Sequence, residues 1–129
     1  MKTLSLLAEL TALPHRRIGI YTGTFDPIHR GHISVIDAAL AHLDLVLICP
    51  CPTHPRKRPT PLEHRIALIR LFLPARMEER AFLVTHRIGL CFGEHGFAKL
   101  SPALNSLFTS KERRLSIILG QDALYDDYS

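Results

Sequence analysis

The chain has 129 residues, 47% of them hydrophobic, enough for one compact domain with its own core and too short for two ordinary ones. Its 16 basic and 12 acidic side chains give a net charge of +4, a mild excess that suits a phosphate-bearing small molecule and is weak for a nucleic-acid binder. Three cysteines, an odd number, argue against a disulfide framework and for a reducing, cytoplasmic setting, and no apolar run approaches the roughly 20 residues of a membrane span.

The opening "MKTLSLLAELTALP" has a leader-like look, but Glu9 interrupts its apolar centre and Pro14-His15-Arg16-Arg17 is no small-residue cleavage site. Residues 1–15 are therefore expected to form a short amphipathic helical extension ahead of a domain over 16–129. "RIGIYT", from Arg17 to Thr22, is short and β-branched enough for a strand. After a glycine-rich loop, "GHISVIDAALAHL" places Ile33, Ile36, Ala39, Leu40 and Leu43 at helical spacing. "LDLVLICP" then reads as a strand buried on both faces and ended by Pro50. The Pro-rich interval 50–61 reads as a loop within the domain.

The next helix is announced by Thr60 as N-cap, Pro61 at the first helical position and Glu63 completing a capping box before "HRIALIRLFL"; Pro74 ends it. Glu78, Glu79 and Arg80 read as a solvated helix end. "RAFLVTH" gives a third strand, "LSPALNSLF" a helix started by Ser101 and Pro102, and "RLSIILG" a fourth strand. This alternation predicts a single α/β domain of Rossmann-like, doubly wound parallel type, three layers α/β/α, with ligands beyond the carboxyl ends of the strands.

The loop "GTFDPIHRGH" lies at such an end. Gly23 permits a sharp turn out of the strand, and a helix starting near Gly31 aims its unpaired amides and positive dipole end at the same place. His29 and His32, three apart on the incoming turn, can both face an anion, and a neighbouring phosphate would favour their protonated form. A lone histidine is usually a surface or satisfied core residue, which is the reading for His42, His86 and His95. At His29 and His32 the glycines, the preceding strand and the following helix all agree on one ligand class.

This decamer resembles the signature of the nucleotidylyltransferase superfamily with its His-x-Gly-His core, and its Phe-Asp-Pro-Ile-His version is most similar to bacterial nicotinate-nucleotide adenylyltransferases. "CPTHPRKRPTPLEHRIALIRL" resembles the family's basic proline-rich loop and Glu-His-Arg helix, and "SIILGQDAL" its strand ending in Gly-x-Asp. The resemblance implies attack by a mononucleotide phosphate on the α-phosphorus of ATP, with Mg²⁺ carried by the ATP phosphates, pyrophosphate released and no covalent enzyme intermediate. By the same resemblance His29 and His32 contact the ATP phosphates, and Gly23, Thr24, Phe25 and Gly31 line the nucleotide site. Asp26 ties the loop together, and Gly120 and Asp122 hold nucleotide groups. One of Arg56, Lys57 and Arg58, with Lys57 preferred, reaches phosphate.

The likeness has gaps. Family members continue past Gly-x-Asp to a serine- and threonine-rich segment ending in an arginine that grips ATP, whereas this chain stops at Ser129. The C-terminal part of the family domain is thus expected to be missing, leaving an edge and apolar surface that a second copy would cover in a homo-oligomer. The aromatic and threonine pair that recognises the nicotinate nucleotide is not found in "LCFGEHGFAKLSP". Two rival readings follow: a nucleotide-binding remnant without turnover, and an adenylyltransferase for another acceptor such as pantetheine phosphate. Cys49, Cys51 and His54 lack the spacing and fourth ligand of a zinc centre, and "HPRKR" has no adjoining aromatic platform for nucleic acid. Asp126 and Asp127 read as exposed rather than as a metal site.

Overall fold

The computed structural model describes residues 1–5, 7–51, 58–85 and 113–118. Five strands, β1 (Thr3–Leu4), β2 (Arg17–Gly23), β3 (Leu45–Pro50), β4 (Ala81–Val84) and β5 (Arg114–Ile118), form one sheet in the order β1-β4-β3-β2-β5. Every pairing is parallel. Helices α1 (Leu7–Thr11), α2 (Arg30–Leu40) and α3 (Leu62–Phe72) flank it, and a single 3-10 turn spans Ala75–Met77.

The central strand explains the architecture. All six residues of β3 are buried, because an uninterrupted aliphatic run has no polar face to give to water and must be covered twice. Its alternate side chains therefore enter two cores. Leu45, Leu47 and Cys49 join Ile18 and Ile20 of β2 with Leu4, Leu10 and Leu13 of the N-terminal segment. Val46 and Ile48 join Tyr21, Ile36 of α2 and Ile69 of α3 on the other face. Helices on both faces of a parallel sheet make the expected α/β/α layering, and the fold class is as the sequence indicates.

Several local details differ from the sequence expectation. The first residues do not form a helix alone: Thr3 and Leu4 pair with Leu83 and Val84 as an edge strand, and α1 is only five residues long. Leu4, Leu10 and Leu13 are 0–2% exposed, each worth about 1.5–3 kcal/mol of burial. Helix α2 stops at Leu40, and Leu43 packs from the turn beyond it, where its Cδ1 would lie 2.5 Å from a Cβ on Gly19.

Arg80, expected as part of a solvated helix end, is exposed along its stem but donates through Nη2 to the carbonyls of Leu40 and Leu43 at 2.7 Å each. That closes the C-terminal end of α2. Asp44 latches the opposite end of the sheet from the loop: it accepts from the Arg17 amide at 2.9 Å and from Arg17 Nη2 at 3.0 Å. Its carboxyl is held at about 2, first by the Arg17 side-chain hydrogen bond and then by the Arg17 amide. The helix expected from "LSPALNSLF" lies outside the described residues. No helix among the described residues is long and apolar enough to cross a membrane.

Candidate active site at the end of β2

β2 is the strand at which the sheet order turns, with β3 on one side and β5 on the other. The carboxyl ends of β2 and β5 lie side by side, since Tyr21 pairs with Ile118. Such a switch point opens a crevice at the carboxyl ends of the strands, and the loop from Gly23 to His29 leads directly out of it.

The loop is built around a buried aromatic ring. Phe25 is 2% exposed and takes a left-handed backbone, φ 48°, a conformation that non-glycine residues keep only where the surroundings fix it. Its ring packs edge-on against Tyr21 at 5.1 Å and, tilted, against His32 at 4.8 Å. Gly23 makes room, because a Cβ there would approach the Phe25 ring to 3.3 Å. Asp26 Oδ2 accepts the Thr60 amide at 2.8 Å, tying the loop to the head of α3.

At the start of α2 the two histidines cap each other. His29 is the N-cap, with extended backbone. Its Nδ1 accepts the Gly31 amide at 3.0 Å, and His32 Nδ1 accepts the His29 amide at 3.0 Å. This is the reciprocal geometry of a Ser-x-x-Glu capping box executed by imidazoles. The rings stack at 3.9 Å between centroids. Gly31 leaves room for the His29 ring, since a Cβ would lie 2.8 Å from His29 Cε1 and 3.0 Å from Nδ1.

The caps decide the tautomers. An Nδ1 that accepts a hydrogen bond carries no hydrogen, so each neutral ring carries it on Nε2. In this tautomer each ring donates through Nε2–H. Beside the positive end of an eleven-residue helix, two such donors suit phosphoryl oxygens. They suit a metal poorly, because ligation through Nε2 would push the hydrogen to Nδ1. Among the described residues no group of three or more His, Cys, Asp or Glu is placed to hold a metal ion.

Gly23, Thr24, Phe25, Asp26, His29, Gly31 and His32 thus sit in one continuous turn. Arg58 is exposed near the start of α3, whereas Arg56, Lys57, Gly120 and Asp122 lie outside the described residues. The capping box expected at Thr60 and Glu63 is not formed: the N-cap of α3 is Pro61, without a side-chain cap. Thr60 is engaged elsewhere, its amide by Asp26 and its carbonyl by Arg65.

Arg65 is the residue that sequence reasoning missed. It is 1% exposed and donates to the carbonyls of Thr60 at 2.6 Å, Thr24 at 2.7 Å and Cys51 at 2.8 Å. The available signal is positional: Arg65 occupies the same stripe of α3 as Leu62, Ile69 and Leu73, where an aliphatic residue is the ordinary choice. Cys49 and Cys51 are buried thiols outside any disulfide, and burial pushes the Cys49 thiol well up, so Cys49 acts as small apolar packing at the strand end.

A family model described as cytidylyltransferase-like matches residues 20–127. A probable nicotinate-nucleotide adenylyltransferase of Thermomicrobium roseum is 33% identical over 116 residues, covering 85% of this chain and 51% of that protein. A probable enzyme of the same name from Roseiflexus sp. is 35% identical over 114 residues, covering 84% of this chain and 54% of its own length. The chain therefore spans about half the length of the curated relatives it matches. The nicotinic acid mononucleotide adenylyltransferase of Plasmodium falciparum, solved with NaAD, superposes with a TM-score of 0.68 at 22% identity, over 89% of this chain and 57% of that one. At that identity the likeness is one of fold.

Proposed function

This chain belongs to the cytidylyltransferase-like family, and from that premise we propose that it transfers the adenylyl group of ATP to nicotinate mononucleotide. An acceptor phosphate oxygen attacks the α-phosphorus, the new P–O bond forms as the bond to the β-phosphate oxygen breaks, and pyrophosphate leaves with the displaced electron pair. The products are deamido-NAD and pyrophosphate. In-line transfer asks little of a protein beyond positioning and stabilising charge on the phosphoryl oxygens. Mg²⁺, arriving with the ATP phosphates, neutralises part of their charge.

The observation that carries this reading is the imidazole pair. Nδ1 of each ring is committed to a backbone amide, so Nε2–H of each is a preset donor at a helix N-terminus on the switch point of the sheet. Donors fixed before the substrate arrives need no reorganisation when charge develops. The relatives named as nicotinate-nucleotide adenylyltransferases support the choice of acceptor.

The test is to incubate the chain with ATP, Mg²⁺ and a panel of nicotinate mononucleotide, nicotinamide mononucleotide and pantetheine phosphate, and to follow pyrophosphate release. Turnover with nicotinate mononucleotide is expected, and His32→Ala should lower it about 100-fold or more, the loss seen when one preorganised oxyanion donor is removed. ATP binding without turnover on any acceptor would refute the reaction, and a different best acceptor would refute the substrate.

A further inference from the structure

We propose that Arg65 is a positioning residue that sets the orientation of His32 through the Thr24–Phe25 turn; this rests on the phosphate role proposed above for His32. Phe25 lies between two residues that are both fastened to the head of α3. Before it, the Thr24 carbonyl accepts from Arg65 Nη1 at 2.7 Å; after it, Asp26 Oδ2 accepts from the Thr60 amide at 2.8 Å. Arg65 also holds Thr60 itself, through Nε to its carbonyl at 2.6 Å.

The same Nη1 reaches the Cys51 carbonyl at 2.8 Å, and the Cys51 amide in turn donates to the Gly23 carbonyl at 2.8 Å. One guanidinium thus fixes the turn from the strand side and from the helix side. A planar fork with several fixed donors can do this, and a single ammonium cannot reach all three carbonyls with the same geometry.

The held turn has one consequence for chemistry. Phe25 is kept in its left-handed conformation, φ 48°, and that conformation delivers its ring to 4.8 Å from the His32 imidazole. His32 also stacks on the His29 ring at 3.9 Å. Its ring is therefore positioned by contacts with both Phe25 and His29, and Arg65 holds the Phe25 jaw of that grip. If the turn relaxes, His32 is free to rotate, its Nδ1 leaves the His29 amide, and its Nε2–H loses its aim.

The test uses the whole chain with ¹⁵N-labelled histidine. The imidazole ¹⁵N resonances of His32 report its tautomer, and inorganic pyrophosphate, titrated calorimetrically, reports anion affinity. Arg65→Met and Arg65→Lys are compared with Ile69→Ala, a core truncation one turn further along α3 whose side chain makes none of the three hydrogen bonds. In the parent His32 is expected to show a single Nε2–H pattern. Both Arg65 variants should show a mixed or shifted His32 pattern and bind pyrophosphate about tenfold more weakly, the loss of roughly one charge-assisted hydrogen bond. Ile69→Ala should lower the melting temperature without moving His32.

Should Arg65→Met fail to fold, Arg65→Lys and Phe25→Leu carry the comparison, since the latter removes the jaw and leaves the guanidinium in place. Folded Arg65 variants with parental His32 resonances and a Kd within about twofold of the parent would overturn the proposal. So would a Phe25→Leu variant that leaves His32 unmoved, or an Ile69→Ala variant that reproduces the change. A parent chain that does not bind pyrophosphate would sink the proposed reaction, while the His32 resonances would still decide the role of Arg65.

Discussion

Replacing Gly31 by alanine should separate anion binding from stability. The added Cβ would lie 2.8 Å from His29 Cε1 and 3.0 Å from Nδ1, well inside contact distance, and the backbone of α2 cannot yield without losing its first turn. The imidazole yields instead, by rotating away, which is cheap in strain and gives up the 3.0 Å bond from the Gly31 amide. Loss of an N-cap costs about 0.5–2 kcal/mol, while alanine in place of glycine inside a helix returns about 0.8–1 kcal/mol. The two nearly cancel, so the melting temperature should move by no more than about 4 °C in either direction.

Function has no such compensation. A displaced His29 withdraws one donor to a charged oxygen, about 1.5–3 kcal/mol, so pyrophosphate affinity and kcat/KM for pyrophosphate release should fall roughly tenfold to a hundredfold. Calorimetric titration and a thermal melt on the same preparation measure both quantities. A Gly31→Ala protein with higher stability and parental affinity would refute the reasoning, since it would mean that the His29 ring does not lie over Gly31.

Three further outcomes are expected. The Asp44 carboxyl is held at about 2 by its hydrogen bonds from Arg17, below the ordinary value near ~3.9. Its contribution to stability is therefore complete above about pH 4 and is lost as pH falls toward 2; melts across this range should show Asp44→Asn losing less stability on acidification than the parent. Leu10→Ala opens a cavity beneath β2 and β3 where Leu10 is 0% exposed, which should cost about 2–5 kcal/mol in denaturant unfolding and leave pyrophosphate affinity unchanged. Cys49, buried and with its thiol pushed well up, should resist alkylation at pH 8 in the native chain and react at once in denaturant.

The sheet was legible because its signal is local: a run such as Leu45–Pro50, buried throughout, declares a central strand by composition alone. The paired histidines were legible as an anion site, but their hydrogen bonding was not, because capping rules look for Ser, Thr, Asp or Asn and pass over imidazole. The failure at α3 has the opposite form. Thr60, Pro61 and Glu63 satisfy the local pattern of a capping box, yet Asp26, 34 positions away, takes the Thr60 amide. Arg65 was hidden for the same reason, since its acceptors Thr24 and Cys51 are 41 and 14 positions distant. β1 is two residues long and too short to leave any periodicity.

That short strand has a bearing on how the chain comes into being. Thr3 pairs with Leu83 and Leu4 with Val84, so β1 has no strand partner until some 80 more residues have been synthesised. At about 5–20 residues per second that is a wait of roughly 4–16 s. During it the backbone groups of β1 stand without the β4 edge that they pair with. β1 can dock only once β4 is in place, and a chaperone that shields this segment would act on that interval rather than on the finished molecule.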